Sequence, residues 1–178
     1  MKKNSRIIII LILIILAVAI FWITTRDNDD KFNMIAVDFL EKFYNVSHSD
    51  GEELFGQTTA VEGELILLDE SLREIYADLM TVDCYDRLVA NRILGSTHYS
   101  AYQRESSFRA ESIKFKEEQE KYGDQYYVYT IDLIQYYTTS REIINEWNIE
   151  ASMSFTEENG ELKIKDVEIP NTELLSKQ

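Results

Sequence analysis

A single cysteine, a single proline and two histidines are all that 178 residues hold of those types, and each scarcity closes a class of chemistry. Cys84 alone excludes an internal disulfide framework and any multi-cysteine metal site, and such a cysteine in an exported domain is most often a small buried hydrophobe. Pro170, near the end, leaves no Pro-rich linker, and the chain has neither internal repeats nor low-complexity tracts. Positive charge is also scarce: 18 Lys and Arg face 32 Asp and Glu. Lys2, Lys3 and Arg6 precede residue 7, and every acidic residue lies beyond position 26. The remainder therefore sets 15 basic against 32 acidic residues, a net −17. That surface repels phosphate backbones, so nucleic acid is excluded as a partner, and it avoids anionic lipid headgroups. Apolar side chains are what the sequence does have. They make up 45% of residues, enough to bury the core of one ordinary domain and too many for a disordered chain.

Apolar and charged residues are sorted most sharply at the N-terminus. Ile7 to Ile23 is uncharged, and as a helix it spans about 26 Å, near the lower limit for a hydrocarbon core. Thr24 and Thr25 can extend it, and Trp22 stands where an interfacial aromatic belongs. Basic residues on the first flank and Asp27, Asp29 and Asp30 on the second match the positive-inside asymmetry. The expected organisation is a cytoplasmic tail at 1–6, a transmembrane anchor at 7–25 and a linker at 26–31. An extracytoplasmic domain comes next at 32–170, with a C-terminal tail at 171–178. Localisation is then the cell membrane, single-pass, with the membrane itself bound through the N-terminal helix. A cleaved signal peptide competes, because Ala17-Val18-Ala19 has the look of a cleavage site. The continuation Ile20-Phe21-Trp22-Ile23 favours the uncleaved anchor, and no cysteine occupies a lipobox position.

Within the domain the hydrophobic period changes from helical to alternating. Phe32, Ile35, Ala36, Phe39, Leu40 and Phe43 share one helical face over 32–44, and Ser47-His48-Ser49-Asp50-Gly51 reads as its break. A second helical region covers Ala60 to about Leu68. Ser71-Leu72-Arg73-Glu74 has capping-box spacing ahead of Ile75, Tyr76 and Leu79. A short helix from Asp83 to Leu94 buries Tyr85, Leu88 and Val89, with Gly95 as its stop. From Ser106 the period shifts, and Tyr126 to Tyr137 is rich in aromatic and β-branched residues, with Tyr127, Tyr129, Ile131, Leu133 and Tyr137 on one face. Ile143 to Phe155 alternates as a strand, interrupted on its apolar face only by Asn145. Asn159-Gly160 then predicts a hairpin to Leu162–Ile169. Leu162 and Ile164 differ in parity from Val167 and Ile169, which implies a β-bulge near Lys165-Asp166. The expected class is α+β, helices first and then a long antiparallel meander.

This order of elements, with two shorter helices running through Leu79-Met80-Thr81-Val82-Asp83-Cys84-Tyr85-Asp86-Arg87-Leu88, resembles the nuclear-transport-factor-2-like superfamily, of cystatin-like shape, over residues 32 to 170. The resemblance implies helices packed on a curved, cone-shaped antiparallel sheet. A short tail and one membrane helix ahead of such a domain further resemble the inner-membrane assembly component of bacterial type IV secretion and conjugation systems. The superfamily hosts isomerases, dehydratases, transport factors and assembly modules, so the fold by itself assigns no activity.

No residue pattern supplies catalysis. His48 reads as a loop histidine beside Asp50, and His98 as a packing or rim residue. A Cys84–His98 thiol–imidazole dyad would lack any nucleophile motif. Asp132 shares parity with Tyr126, Thr130 and Ile134 and is expected to face solvent or a partner. Asn145 is either a hydrogen-bonded core amide, at the mouth of the concavity, or a ligand contact. A ligand pocket, if open, would be lined by Asn145, Trp147, Met153 and Phe155. An interface would use Tyr126 and Tyr136, since tyrosines crowd both faces of that strand, together with the outward Glu146 and Glu150. Asn45-Val46-Ser47 fits a glycosylation sequon by chance. Neither metal nor cofactor is expected. The function expected is a non-enzymatic assembly module binding other envelope or secretion-complex proteins, with homo-oligomerisation open. A small-ligand-binding or sensing domain is the alternative.

Overall fold

The computed structural model describes residues 30–56, 62–121 and 124–170. The expected anchor at Ile7–Ile23, most of the linker and the tail at 171–178 lie outside them. Among the described residues no helix is long and apolar enough to cross a membrane. The chain divides into two compact units, Met1–Met34 and Ile35–Gln178. Of the first unit only residues 30–34 are described, and they are helical. Every element after that helix belongs to the second unit.

The fold is α+β, with helices preceding a four-stranded antiparallel sheet in the order β1-β2-β3-β4. Helix α1, residues 30–44, buries Ala36, Phe39, Leu40 and Phe43, the stripe its spacing predicts. The first helix ends at Tyr44 as expected, but the expected break at Ser47–Gly51 already opens the next helix. Ser47 caps α2 (His48–Phe55), its hydroxyl accepting from the Asp50 amide at 3.2 Å while Asp50 accepts from the Ser47 amide at 2.7 Å. The two expected helices around residues 60–79 are one, α3 (Glu62–Tyr76), ending in a 3₁₀ turn at Ala77–Leu79. Ser71 thus sits mid-helix and caps nothing. Thr81 caps α4 (Val82–Ala90) by accepting from the Cys84 amide at 3.2 Å, and Cys84, Tyr85 and Leu88 turn inward. Helix α4 stops at Ala90 rather than Leu94. Gly95, at φ 81°, opens a further helix, α5 (Ser96–Gln103), instead of closing the last one.

The meander runs β1 (Ser106–Lys121), β2 (Asp124–Tyr137), β3 (Ile143–Glu158) and β4 (Glu161–Glu168). Its register sets Tyr129 against Ala151, Ile131 against Ile149 and Leu133 against Trp147. The face carrying these residues packs on the helices, where Phe39, Tyr44, Tyr76, Tyr85 and Met153 are also fully buried. Irregularities between Ala110 and Ser112 and between Phe115 and Glu117 interrupt β1, and bulges of this kind bend a strand and increase its twist. The predicted bulge in β4 is present: Ser154 pairs with Asp166 and Phe155 with Ile164, leaving Lys165 over. The predicted hairpin turn is present too, with Asn159 at φ 55° and Gly160 at φ 83°. Helices and sheet are joined at Met80, which bridges to Ile164, and by the Thr81 amide donating to the Ile164 carbonyl at 3.0 Å.

Candidate functional site

The four residues expected to line a pocket all lie on the inner side of β3, but they do not converge. From Asn145 to Phe155 is ten residues of strand, about 33 Å, far beyond one small-ligand site. Asn145 is half-buried and donates to Gln135 Oε1 at 2.9 Å, and Gln135, itself buried, donates to Ser106 Oγ at 2.8 Å. That cross-strand chain accounts for the polar interruption: the amide is satisfied by the sheet. Trp147 is half-buried rather than core, its ring stacked on Phe108 at 6.2 Å. Met153 is fully buried. Phe155 is half-buried, edge-on to Tyr127 at 5.6 Å.

Rings occupy the space between helices and sheet. Phe39 stacks on Phe43 at 5.8 Å and meets Tyr76 at the same distance. Tyr76 donates to the Lys42 carbonyl at 3.1 Å, and Tyr85 to the Asp69 carbonyl at 3.0 Å. Burial drives both phenols well above their ordinary range. The described cavity is an open depression of about 360 Å³ lined by Asp132, Leu133, Ile134, Glu146, Trp147 and Asn148. Asp132 is committed there: it accepts from Ser112 Oγ at 2.6 Å and Asn148 Nδ2 at 2.7 Å, with Lys114 at 3.8 Å. Those hydrogen bonds, the Ser112 one foremost, hold its carboxyl below the usual range, so it is ionised rather than poised to donate a proton.

Cys84 and His98 stand on different helices, α4 and α5. Arg87 Nη2 is 3.7 Å from Cys84 Sγ, and burial pushes the thiol up to about 11 against that guanidinium. His98 faces α2, where Asp50 supplies the field acting on it. His48, expected in a loop, stands in the first turn of α2, stacked on Tyr102 at 6.2 Å. Among the described residues no group of three or more His, Cys, Asp or Glu is placed to hold a metal ion. The sequon residues have structural work: Asn45 Oδ1 accepts the Ala110 amide at 2.7 Å, and Ser47 is the α2 cap.

The interface residues divide. Tyr126, expected to be exposed, is instead buried, its hydroxyl donating to Asp166, which also pairs with Arg87, and the Lys121 ammonium lies 5.7 Å from its ring. Parity alone puts Tyr126 on the outer face, but side chains of α4, β1 and β4 cover that corner. Tyr136 is half-buried between the guanidinium groups of Arg109 and Arg141, at 5.9 and 5.4 Å. Glu146 is exposed, and Glu150, also exposed, pairs with Lys116 at 2.7 Å. Sequence reasoning counted Tyr137 among the tyrosines crowding this strand, on the face of Ile131 and Leu133, but not among the interface candidates. It is 46% exposed and lies at the end of β2, beside Ile143, 51% exposed, which pairs with Tyr136. The β2–β3 turn end therefore exposes Tyr137 and Ile143, while the two arginines flank the half-buried Tyr136.

No family model, curated protein or solved structure matches the chain.

Proposed function

We propose that the chain is a membrane-anchored, extracytoplasmic assembly module that binds other envelope proteins, and that it does no chemistry of its own. A nuclear-transport-factor-2-like, cone-shaped fold on an uncleaved Ile7–Ile23 anchor, working within a bacterial secretion or conjugation machine, is the form of that proposal the sequence supports. The observation that carries it is the contrast between inside and outside. The interior is filled by Phe39, Phe43, Tyr76, Tyr85 and Met153, while Tyr137 and Ile143 leave apolar surface at one end of the sheet. Exposed large rings with polar tips are typical of protein interfaces. The ligand-binding alternative has less support, since of its four lining residues only Trp147 borders the depression.

Site-specific photo-crosslinking in membranes tests the reading. A crosslinker at Tyr137 or Ile143 should capture a discrete partner that one at Glu158, at the far end of β3, does not. Identical capture from both ends, or none from either, would remove the interaction surface.

A further inference from the structure

The only two histidines of the chain, His48 and His98, stand one on each side of the junction between α2 and α5. His48 Nδ1 is 3.2 Å from the Ala101 carbonyl of α5. His98 is the more enclosed, 6% exposed, and its Nδ1 has no hydrogen-bond partner. The helices touch through Gly51, where a Cβ atom would stand 2.4 Å from the His98 carbonyl oxygen and 2.9 Å from the Tyr102 amide nitrogen. A helix held that closely cannot shift to let water reach the imidazole without separating from α2. We propose that the α2–α5 junction is a pH-operated latch, opened in mild acid by protonation of His98.

The surroundings offer an imidazolium little compensation. From α2, Asp50 is the charged group whose field reaches it, and that carboxylate already accepts the Ser47 amide and is exposed. His48 faces α5 through its carbonyl contact, and Glu52 and Glu53 are exposed on α2. The start of β1 brings Ser106, Ser107 and Phe108, none of them charged, and α1 contributes the Phe43 carbonyl, which Thr97 Oγ1 takes. From α3, Leu72 closes on Gly95. Beyond the last turn of α5 the chain carries Arg104, whose like charge adds no relief. Protonation puts a hydrogen on both ring nitrogens, and Nδ1 has no acceptor to receive one. Burial accordingly lowers the proton affinity of His98, with Asp50 pulling the other way.

Linkage fixes the sign. The open junction binds the proton at the ordinary value of 6.5 and the closed one at a lower value, so the closed form is fully favoured above pH 6.5. Below it, opening gains up to about tenfold per pH unit until the closed-state value is passed. Hydrogen exchange on the full-length chain in detergent micelles, corrected for intrinsic rates, reads this directly. Between pH 7.5 and 5 the amides of Ser96–Gln103 should lose protection relative to those of β2 and β3, with the loss setting in below pH 6.5. His98→Gln should abolish that difference, and His48→Gln should leave it. Protection of α5 that tracks the sheet at both pH values, or a loss that persists in His98→Gln, would overturn the latch. Should His98→Gln not fold, ring NMR of the His48→Gln variant decides. A folded-state titration of His98 below 6.5 that coincides with the exchange change supports the latch, and one at or above 6.5 refutes it.

Discussion

At the scale of single residues, steric room and burial decide more than chemical type. Gly51 is the clearest case, because the atoms facing it are the backbone of α5, not side-chain ends that could swing aside. Gly51→Ala should lower stability by about 1–3 kcal/mol, seen as a fall in melting temperature. Gly160→Ala meets no atom within 4 Å but sits at φ 83°, so its cost should be about 1 kcal/mol and come from the backbone alone. Cys84 makes a chemical prediction of the same kind. It is buried, and burial holds its thiol at about 11, with Arg87 opposing too weakly to restore an ordinary value. Thiolate is the reactive form, so an aromatic disulfide reagent at pH 8 should label Cys84 only as fast as the domain opens, and stoichiometrically in denaturant. Rapid labelling of the folded protein would return a nucleophilic role to consideration.

At the scale of elements, β3 separates the two sheet faces. Ile149 is buried against the helices, so Ile149→Ala should cost about 2–5 kcal/mol. Trp147 keeps part of its ring in solvent, and Trp147→Ala should cost less than full burial implies, about 2–3 kcal/mol. Glu146→Gln on the outer face should stay within about 0.5 kcal/mol. Equal losses at all three positions would mean that the outer face is covered as well. These strands were legible because alternation, Asn159-Gly160 and the parity slip before Val167 are local signals that tertiary contacts left intact. The helices α2 and α5 were not. Ser-Thr-His-Tyr-Ser-Ala-Tyr-Gln has no apolar stripe, yet α5 buries its small polar side chains against α1, α2 and β1. Ser47-His48-Ser49-Asp50-Gly51 looks like a break because the polar residues and glycine that mark a turn also form the Ser47–Asp50 capping box. The capping-box spacing at Ser71 matched by chance inside α3. Tyr126 was misplaced for a different reason: parity names a face, but not what crosses it, and Asp166 and Lys121 come from β4 and β1.

At the scale of the whole molecule, the excess negative charge sets how stability responds to acid, and the proposed binding role turns on the exposed turn end. Glu168 is held below its ordinary 4.5 mainly by the Lys121 hydrogen bond and then by Ser152, and Asp132 is held below 3.8 by Ser112 and Asn148. Depressed carboxylates add stability above their unfolded values and lose it as pH falls through the folded ones. The sheet should therefore resist acid to below about pH 4.5, after α5 has already lost protection. Assembly is a separate property and has a separate test. Tyr137 and Ile143 are each about half exposed and Tyr137 contributes little to the core, so Tyr137→Ser with Ile143→Ser should shift the melting temperature only slightly. If this end of the sheet is the binding surface, the same pair should cut crosslinked partner by about tenfold or more, since truncating interface anchors costs about 2 kcal/mol each. Glu146→Lys with Glu150→Lys is the complementary probe, with the Lys116 pair lost but the core untouched. Reduced capture from the aromatic pair alone confines the site to the β2–β3 turn, and reduced capture from both extends it along the outer face. Undiminished capture in both, with folding intact, would leave the assembly reading without a surface.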